Sequence, residues 1–207
     1  MAARFYAEQP ETLVAVTGTS GKSSIVTYVR QLWTAMGYNA ASLGTIGVET
    51  AGGPRGGGLT TPAPVALHKT LATLAEDGVT HLALEASSHG LQQRRLDGLA
   101  ISAAAFTNLS RDHLDYHASF DDYRTQKLRL FDTLLAEGKP AVINADSDAA
   151  GAFLAAAKKR SQKPITVGRE GQTLKLIDAA RQGFAQRLTI EYEGVSHSVT
   201  LPLVGEF

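Results

Sequence analysis

Seven consecutive residues, Thr17-Gly18-Thr19-Ser20-Gly21-Lys22-Ser23, combine glycine, lysine and hydroxyl side chains between a β-branched run and a helix-length stretch. In that setting the pattern reads as a phosphate-binding loop. Its glycines let backbone N–H groups wrap a phosphate, and the start of the following helix adds partial positive charge. Lys22 would reach the β- and γ-phosphates, and the Ser23 hydroxyl would ligate Mg²⁺. Gly18, Thr19, Ser20, Gly21, Lys22, Ser23 and Ser24 are therefore the candidate contacts to ATP phosphates. The pattern G-x-x-x-x-G-K-[ST] also asks for glycine at position 16, where this chain has Val16. A phosphoryl-transfer site needs an acid near its cation as well. Glu85 closes the apolar run His81–Glu85 and would emerge beside the loop if the two strands are neighbours; otherwise it is the polar boundary of a buried strand.

A lysine forms the second anomaly. On a helical wheel of roughly 100° per residue, Phe120, Tyr123, Leu130, Phe131 and Leu134 share one face with Lys127 near its middle. A lone ammonium on a packed face is costly unless it pairs or neutralises. Snorkelling to the surface, or an ion pair with a nearby acid, is the plain alternative. Upstream, residues 107–117 (TNLSRDHLDYH) are dense in ligand-type side chains, with Asp112, His113, Asp115 and His117 close together. That density after a predicted strand favours a site over isolated structural histidines.

These residues need elements to hold them. Leu13–Thr17, Ala40–Leu43, His81–Glu85, Ala103–Thr107, Ala141–Asn144 and Ile165–Val167 read as short buried strands. Helical stretches run from Ser23 to Met36, from Thr61-Pro62 (Thr as N-cap, Pro at N1) to Asp77, from a Ser119 cap to about Ala136, and from Asp148 to Arg160. Strands separated by helices imply right-handed crossovers and a mostly parallel sheet. The expected class is α/β, a phosphate-loop sheet flanked by helices. Between Gly44 and Gly58 lie seven glycines, a mobile loop or a hairpin. Beyond Gly168, the stretches Thr173–Ile177, Arg187–Glu193 and Ser196–Val204 suggest a small antiparallel section, with Glu193-Gly194 as a tight turn.

Composition narrows the classes. Twenty Lys+Arg balance twenty Asp+Glu over 207 residues, which removes the electrostatic case for nucleic-acid binding. With 43% hydrophobic residues the chain can bury a core, and without cysteine it has no disulfides or thiolate metal sites. The longest uncharged stretch, Gln31–Val48, is too interrupted by polar residues and glycine to cross a bilayer, so no membrane insertion is expected. The N-terminus lacks a signal-peptide apolar core, and a cytoplasmic protein is the default.

Taken together, G-T-S-G-K-S (18–23), L-T-T-P (59–62), E-A-S-S-H-G-L (85–91), T-N-L-S-R-D-H-L-D-Y-H (107–117) and Lys127 resemble the ATP-dependent Mur ligases, the amide-forming enzymes of bacterial peptidoglycan precursor synthesis. Ser20 stands where many members have Asn. The likeness is strongest to members that add a diamino acid to UDP-MurNAc-L-Ala-D-Glu. It implies transfer of the ATP γ-phosphate to the D-Glu carboxylate, an acyl phosphate, and attack by the incoming amine. It also implies that Lys127 is carbamylated to N6-carboxylysine, that His113 and this carbamate hold one Mg²⁺, and that Ser23 with Glu85 hold the other. Lys22, Glu85, His113 and Lys127 become the catalytic set; Thr60, Thr61, Ser87, Gln93 and Arg95 match contacts to the nucleotide-sugar peptide.

The family pattern further implies that residues 1–12 are a linker from an N-terminal UDP-binding domain. Residues 13–207 would be the central ATP-binding domain, truncated at its C-terminal end, with the amino-acid-binding domain absent. A monomer, inactive by itself, is the expectation. The residues that would separate meso-diaminopimelate, the expected diamino acid, from L-lysine would lie in that absent domain. A folylpolyglutamate synthetase-like ligase shares the central fold, loop and modified lysine, but S-S-H-G-L and L-T-T-P argue against it. A non-catalytic nucleotide-binding module is the alternative from another class. A GTPase is disfavoured because no N-K-x-D segment occurs.

Overall fold

The computed structural model describes residues 1–56, 58–110 and 116–203. In chain order the elements are α1 (Ala2–Phe5), β1 (Thr12–Thr17), α2 (Lys22–Ala35), β2 (Ala40–Gly44), β3 (Gly47–Thr50), β4 (Gly53–Pro54), α3 (Pro64–Glu76), β5 (His81–Glu85), α4 (Ser88–Gln92), β6 (Ala103–Phe106), α5 (Phe120–Arg129), a π-helical turn (Leu130–Leu134), β7 (Pro140–Asn144), α6 (Ala150–Lys159), β8 (Lys163–Gly168), β9 (Leu174–Gln182), β10 (Ala185–Tyr192) and β11 (Val195–Leu201).

Alternation along the strands explains the layers. Leu13, Ala15, Leu82 and Leu84 project to one face of the sheet, where they meet Leu67, Leu71 and Leu74 of α3 and Phe131 and Phe153. Val16 and Ala83 project to the other face, against Val26, Ile25, Val29 and Trp33 of α2. Strands covered on both faces read as continuous apolar runs, which is why these were legible. Phe106 and Phe153 stack with ring centroids 3.6 Å apart, tying β6 to α6.

The sheet order is β11-β10-β9-β8-β7-β6-β1-β5-β2-β3-β4. From β8 to β2 the strands are parallel. The chain leaves β1 for β2, returns to β5 alongside β1, then crosses to β6 on β1's other side. The strand order reverses at β1, so the loops after β1, β5 and β6 open at one carboxyl edge, where ligands of such sheets bind.

Two helix expectations are corrected. The third helix starts at Pro64 with Ala63 as N-cap, rather than at Thr61-Pro62. The Thr61 hydroxyl is instead used inward, donating to the Glu85 carbonyl at 2.8 Å. The helix from Ser119 does not run evenly to Ala136: after Arg129 it widens, and the Leu135 N–H bonds the Leu130 carbonyl at 2.9 Å. The extra residue buries Leu135 completely, while Leu134, placed on the core face by a regular wheel, is half-buried and Phe120 is exposed. Among the described residues the glycine-rich stretch is a hairpin, with β3 antiparallel to β2 and β4 antiparallel to β3. The C-terminal strands β9–β11 are antiparallel as expected, although β9 reaches Gln182. Glu193 and Gly194, at φ of 50° and 75°, close the last hairpin in the left-handed conformation its turn requires.

Candidate nucleotide and substrate site

The register of β1 against β5 pairs Val16 with Glu85, so the loop that follows β1 meets the carboxylate that ends β5. Val16 is buried inside the strand, and the loop begins at Gly18; this is why the position does not need glycine. Gly18 sits at φ 148°, and a methyl group there would collide with the Thr107 hydroxyl. Gly21 precedes the first turn of α2 in the left-handed conformation, without a side-chain cap. The opening N–H groups of a helix lack intrahelical partners, so those of Lys22, Ser23 and Ser24 lead the helix dipole toward the loop.

Neighbouring strands hold the loop from outside. Thr19 N–H donates to the Asn108 carbonyl at 2.9 Å, and Ser20 N–H to Asn108 Oδ1 at 3.0 Å. The Thr107 hydroxyl donates to the Ser20 carbonyl at 2.7 Å. Asn144 secures this brace by donating to the Thr107 carbonyl at 2.8 Å.

Glu85 is 1% exposed. It accepts the Ser23 hydroxyl at 2.8 Å and Thr45 N–H at 2.9 Å through Oε1, and the Thr45 hydroxyl at 3.3 Å through Oε2. Gly44 makes this seat possible, since a Cβ there would overlap the Glu85 side chain. A hydroxyl and a buried carboxylate 2.8 Å apart form an oxygen donor pair suited to a hard divalent cation. No three His, Cys, Asp or Glu side chains converge among the described residues. His113 lies outside the described residues, as do Asp112 and Asp115.

Lys127 does not snorkel: it is 1% exposed. Its Nζ donates to the Gly18 carbonyl at 2.7 Å and lies 4.5 Å from the centre of the Tyr123 ring. Lys22 Nζ donates to the same Gly18 carbonyl at 3.0 Å and to the Thr19 carbonyl at 2.8 Å. Two lysine Nζ atoms thus meet at one carbonyl in the loop, which places both side chains against the candidate phosphate site.

The substrate candidates gather alongside. A cleft of about 470 Å³ is lined by Lys22, Thr45, Thr60, Thr61, Ser87 and Arg95, with Leu59 and His89. Thr60 pairs with Thr45 at 3.0 Å, and Thr61 with Ser87 at 3.0 Å. The Arg95 guanidinium donates to the Thr61 carbonyl and to Gln93 Oε1, and Gln93 Nε2 donates to the Tyr116 hydroxyl at 2.9 Å. Gln93 itself is exposed and joins the cleft through Arg95. Ser24 is exposed on α2.

Sequence reasoning missed Gly44, Thr45 and Tyr123 as contributors, and took in Thr107 and Asn108 only as part of the segment 107–117. Their signal was positional: Gly44-Thr45 and Thr107-Asn108 each lie where a strand ends on the rim carrying the phosphate loop. Tyr123 is buried and offers its hydroxyl 3.1 Å from Thr19 Oγ1. Asp122, one residue before it, titrates below the usual carboxylate range. A hydrogen bond with Gln126 is the largest cause; burial opposes it, and hydrogen bonds with His117 and the Ala118 backbone add to it.

The family profile described as the Mur ligase middle domain matches residues 16–207. The chain belongs to the Mur ligase family. It is 52% identical over 206 residues to a UDP-N-acetylmuramoyl-L-alanyl-D-glutamate–2,6-diaminopimelate ligase of Mesorhizobium japonicum, covering 100% of this chain and 43% of that protein. It is likewise 52% identical over 206 residues to the ligase of the same name from Agrobacterium fabrum, covering 100% of this chain and 42% of that protein. A solved ligase of that name superposes with a TM-score of 0.86 at 32% identity, over 98% of this chain and 42% of its own. The apo form of L. casei FPGS matches at a TM-score of 0.76 and 15% identity, over 99% of this chain and 56% of its own, a likeness of fold alone. This Mur ligase chain therefore spans less than half the length of the curated relatives it matches. Among the described residues no helix is long and apolar enough to cross a membrane.

Proposed function

We propose that this chain is the ATP-handling part of a ligase that adds a diamino acid, meso-diaminopimelate, to UDP-MurNAc-L-Ala-D-Glu during peptidoglycan precursor synthesis in the bacterial cytoplasm. The observation that carries the reading is the cleft in which Lys22, on the phosphate loop, faces Thr60, Thr61, Ser87 and Arg95. A phosphate donor and a carboxylate acceptor bound on those two sides would meet in one enclosure. The names of the relatives supply the substrate class.

The residues present fit ATP and Mg²⁺. Residues 18–24 would cradle the triphosphate through the loop and the first turn of α2, with Lys22 against the β- and γ-phosphates. Ser23 and Glu85 would hold one Mg²⁺, which when bound offsets the negative charge of phosphates and acceptor carboxylate. Lys127, as its carbamate, would provide a second set of oxygens, with His113 as partner. Carbamate formation joins the neutral amine to CO₂ and releases one proton; a buried site favours the neutral amine it requires. Thr60, Thr61, Ser87, Gln93 and Arg95 would orient the nucleotide-sugar peptide. Holding acceptor and donor in line is the main catalytic task in phosphoryl transfer.

Two experiments test this. A chimera in which residues 1–207 replace the matching segment of the Mesorhizobium japonicum ligase should form the UDP-linked tripeptide from ATP, UDP-MurNAc-L-Ala-D-Glu and meso-diaminopimelate, detected by mass spectrometry. A folded chimera that makes no product would contradict the assignment. Carbon-13 NMR of the chain in labelled bicarbonate should show a carbamate resonance that Lys127→Ala removes; a spectrum unchanged by the substitution would rule out carbamylation of this lysine.

A further inference from the structure

His117 joins the two halves of this site through groups that the proposed chemistry leaves unused. It is 3% exposed, with Nδ1 3.3 Å from Asp122 Oδ2 and Nε2 2.9 Å from Ser88 Oγ. Asp122 is ionised at neutral pH, so Nδ1–H donates to its carboxylate, while Nε2 shares a hydrogen bond with the Ser88 hydroxyl. An acid, an imidazole and a hydroxyl in series suggest an acyl-transfer triad, but Ser88 is 1% exposed and no acyl group can reach it. The arrangement holds two elements together.

Ser88 opens α4, and its neighbours Ser87 and His89 line the cleft. The far end of the same segment is tied to α5 as well, since Arg129 donates to Asp97 Oδ2 at 2.9 Å and to the Leu91 carbonyl at 3.4 Å. On its other side the His117 ring lies 5.1 Å, centre to centre, from that of Tyr123. The Tyr123 hydroxyl lies 3.1 Å from Thr19 Oγ1 in the phosphate loop. Contacts therefore run without a gap from the loop through Tyr123 and His117 to Ser88 and the cleft.

We infer that His117 is a positioning residue that couples the phosphate loop to the substrate cleft, so that nucleotide on the loop orders residues 88–95. Coupling between sites is carried by such packed and hydrogen-bonded chains when both ends bias one arrangement. The inference rests on the ATP reading above.

Hydrogen exchange of residues 1–207, followed by mass spectrometry with and without Mg-ATP, tests it. In the wild-type chain Mg-ATP should slow exchange in 18–24 and, by about fivefold or more, in 88–95. In His117→Phe, which keeps a ring but loses both hydrogen bonds, 18–24 should still respond and 88–95 should not. Ser88→Ala, which removes one hydroxyl, should behave likewise and serves if the His117 variant does not fold. A purely structural role would raise exchange with and without nucleotide but keep the ATP-dependent difference. Protection of 18–24 without protection of 88–95 in the wild type would overturn the coupling alone, as would a difference that survives in Ser88→Ala. Absence of any response at 18–24 would overturn the ATP reading and the coupling with it.

Discussion

Single atoms decide much at this site. Gly44 leaves the space that the Glu85 carboxylate occupies while it accepts from Ser23 and Thr45. In Gly44→Ala the added methyl must displace Glu85, at an overpacking cost of about 1–3 kcal/mol. Mg-dependent ATP affinity should fall about tenfold, since each 1.4 kcal/mol is a factor of ten. Calorimetry with and without Mg²⁺ checks this, and equal affinity would show that Glu85 lies outside the cation site. Asp122 gives a pH-dependent counterpart. Its folded pKa is depressed, so the stability it contributes is fully present above the ordinary carboxylate pKa and is lost as pH falls through the folded value. Asp122→Asn should leave a shallower fall in stability on acidification, read from urea denaturation across that range; an unchanged acid limb would remove Asp122 from the account.

Residues of unusual type in a periodic context were legible in the sequence. Lys127 stood out because an ammonium sits among Tyr123, Leu130 and Phe131, and it proved buried against the loop. Glu85 stood out because it ends a buried strand. Thr45 and Gly44 carried no such mark, since small and polar residues at strand ends are common and only the sheet order shows that these ends converge.

At the scale of elements, strand positions followed from apolar runs because both sheet faces are covered. The helix starting at Pro64 shows where local signals mislead. Thr61-Pro62 offers a cap and a proline, yet the Thr61 hydroxyl is engaged with the Glu85 carbonyl and Ser87, so the cap moves to Ala63. The widened turn after α5 could not be read from a wheel that assumes even spacing. Its carbonyls depend on a distant residue: Gln162 Nε2 donates to Phe131 at 2.6 Å and to Leu135 at 2.9 Å, and Gln162 is 5% exposed. Gln162→Ala should cost about 1–3 kcal/mol by leaving buried carbonyls unmet. Urea denaturation measures it. Mg-ATP affinity should stay unchanged, and a large loss of affinity would show that the turn sets the site directly.

For the molecule as a whole, one topological feature organises the site. Reversal of strand order at β1 brings the ends of β1, β5 and β6 to one edge, and loop, acid and brace all hang from it. The claim resting on that edge is that residues 18–24 bind the triphosphate of ATP. Calorimetric titration of the 207-residue chain with Mg-ATP, beside Lys22→Ala, tests it most directly. Far-UV circular dichroism and the melting temperature establish that the variant is folded before its affinity is compared. The account predicts saturable, Mg-dependent binding at one site in the wild type and none in the variant. Equal affinity in the two proteins, or no binding by the folded wild-type chain, would contradict it.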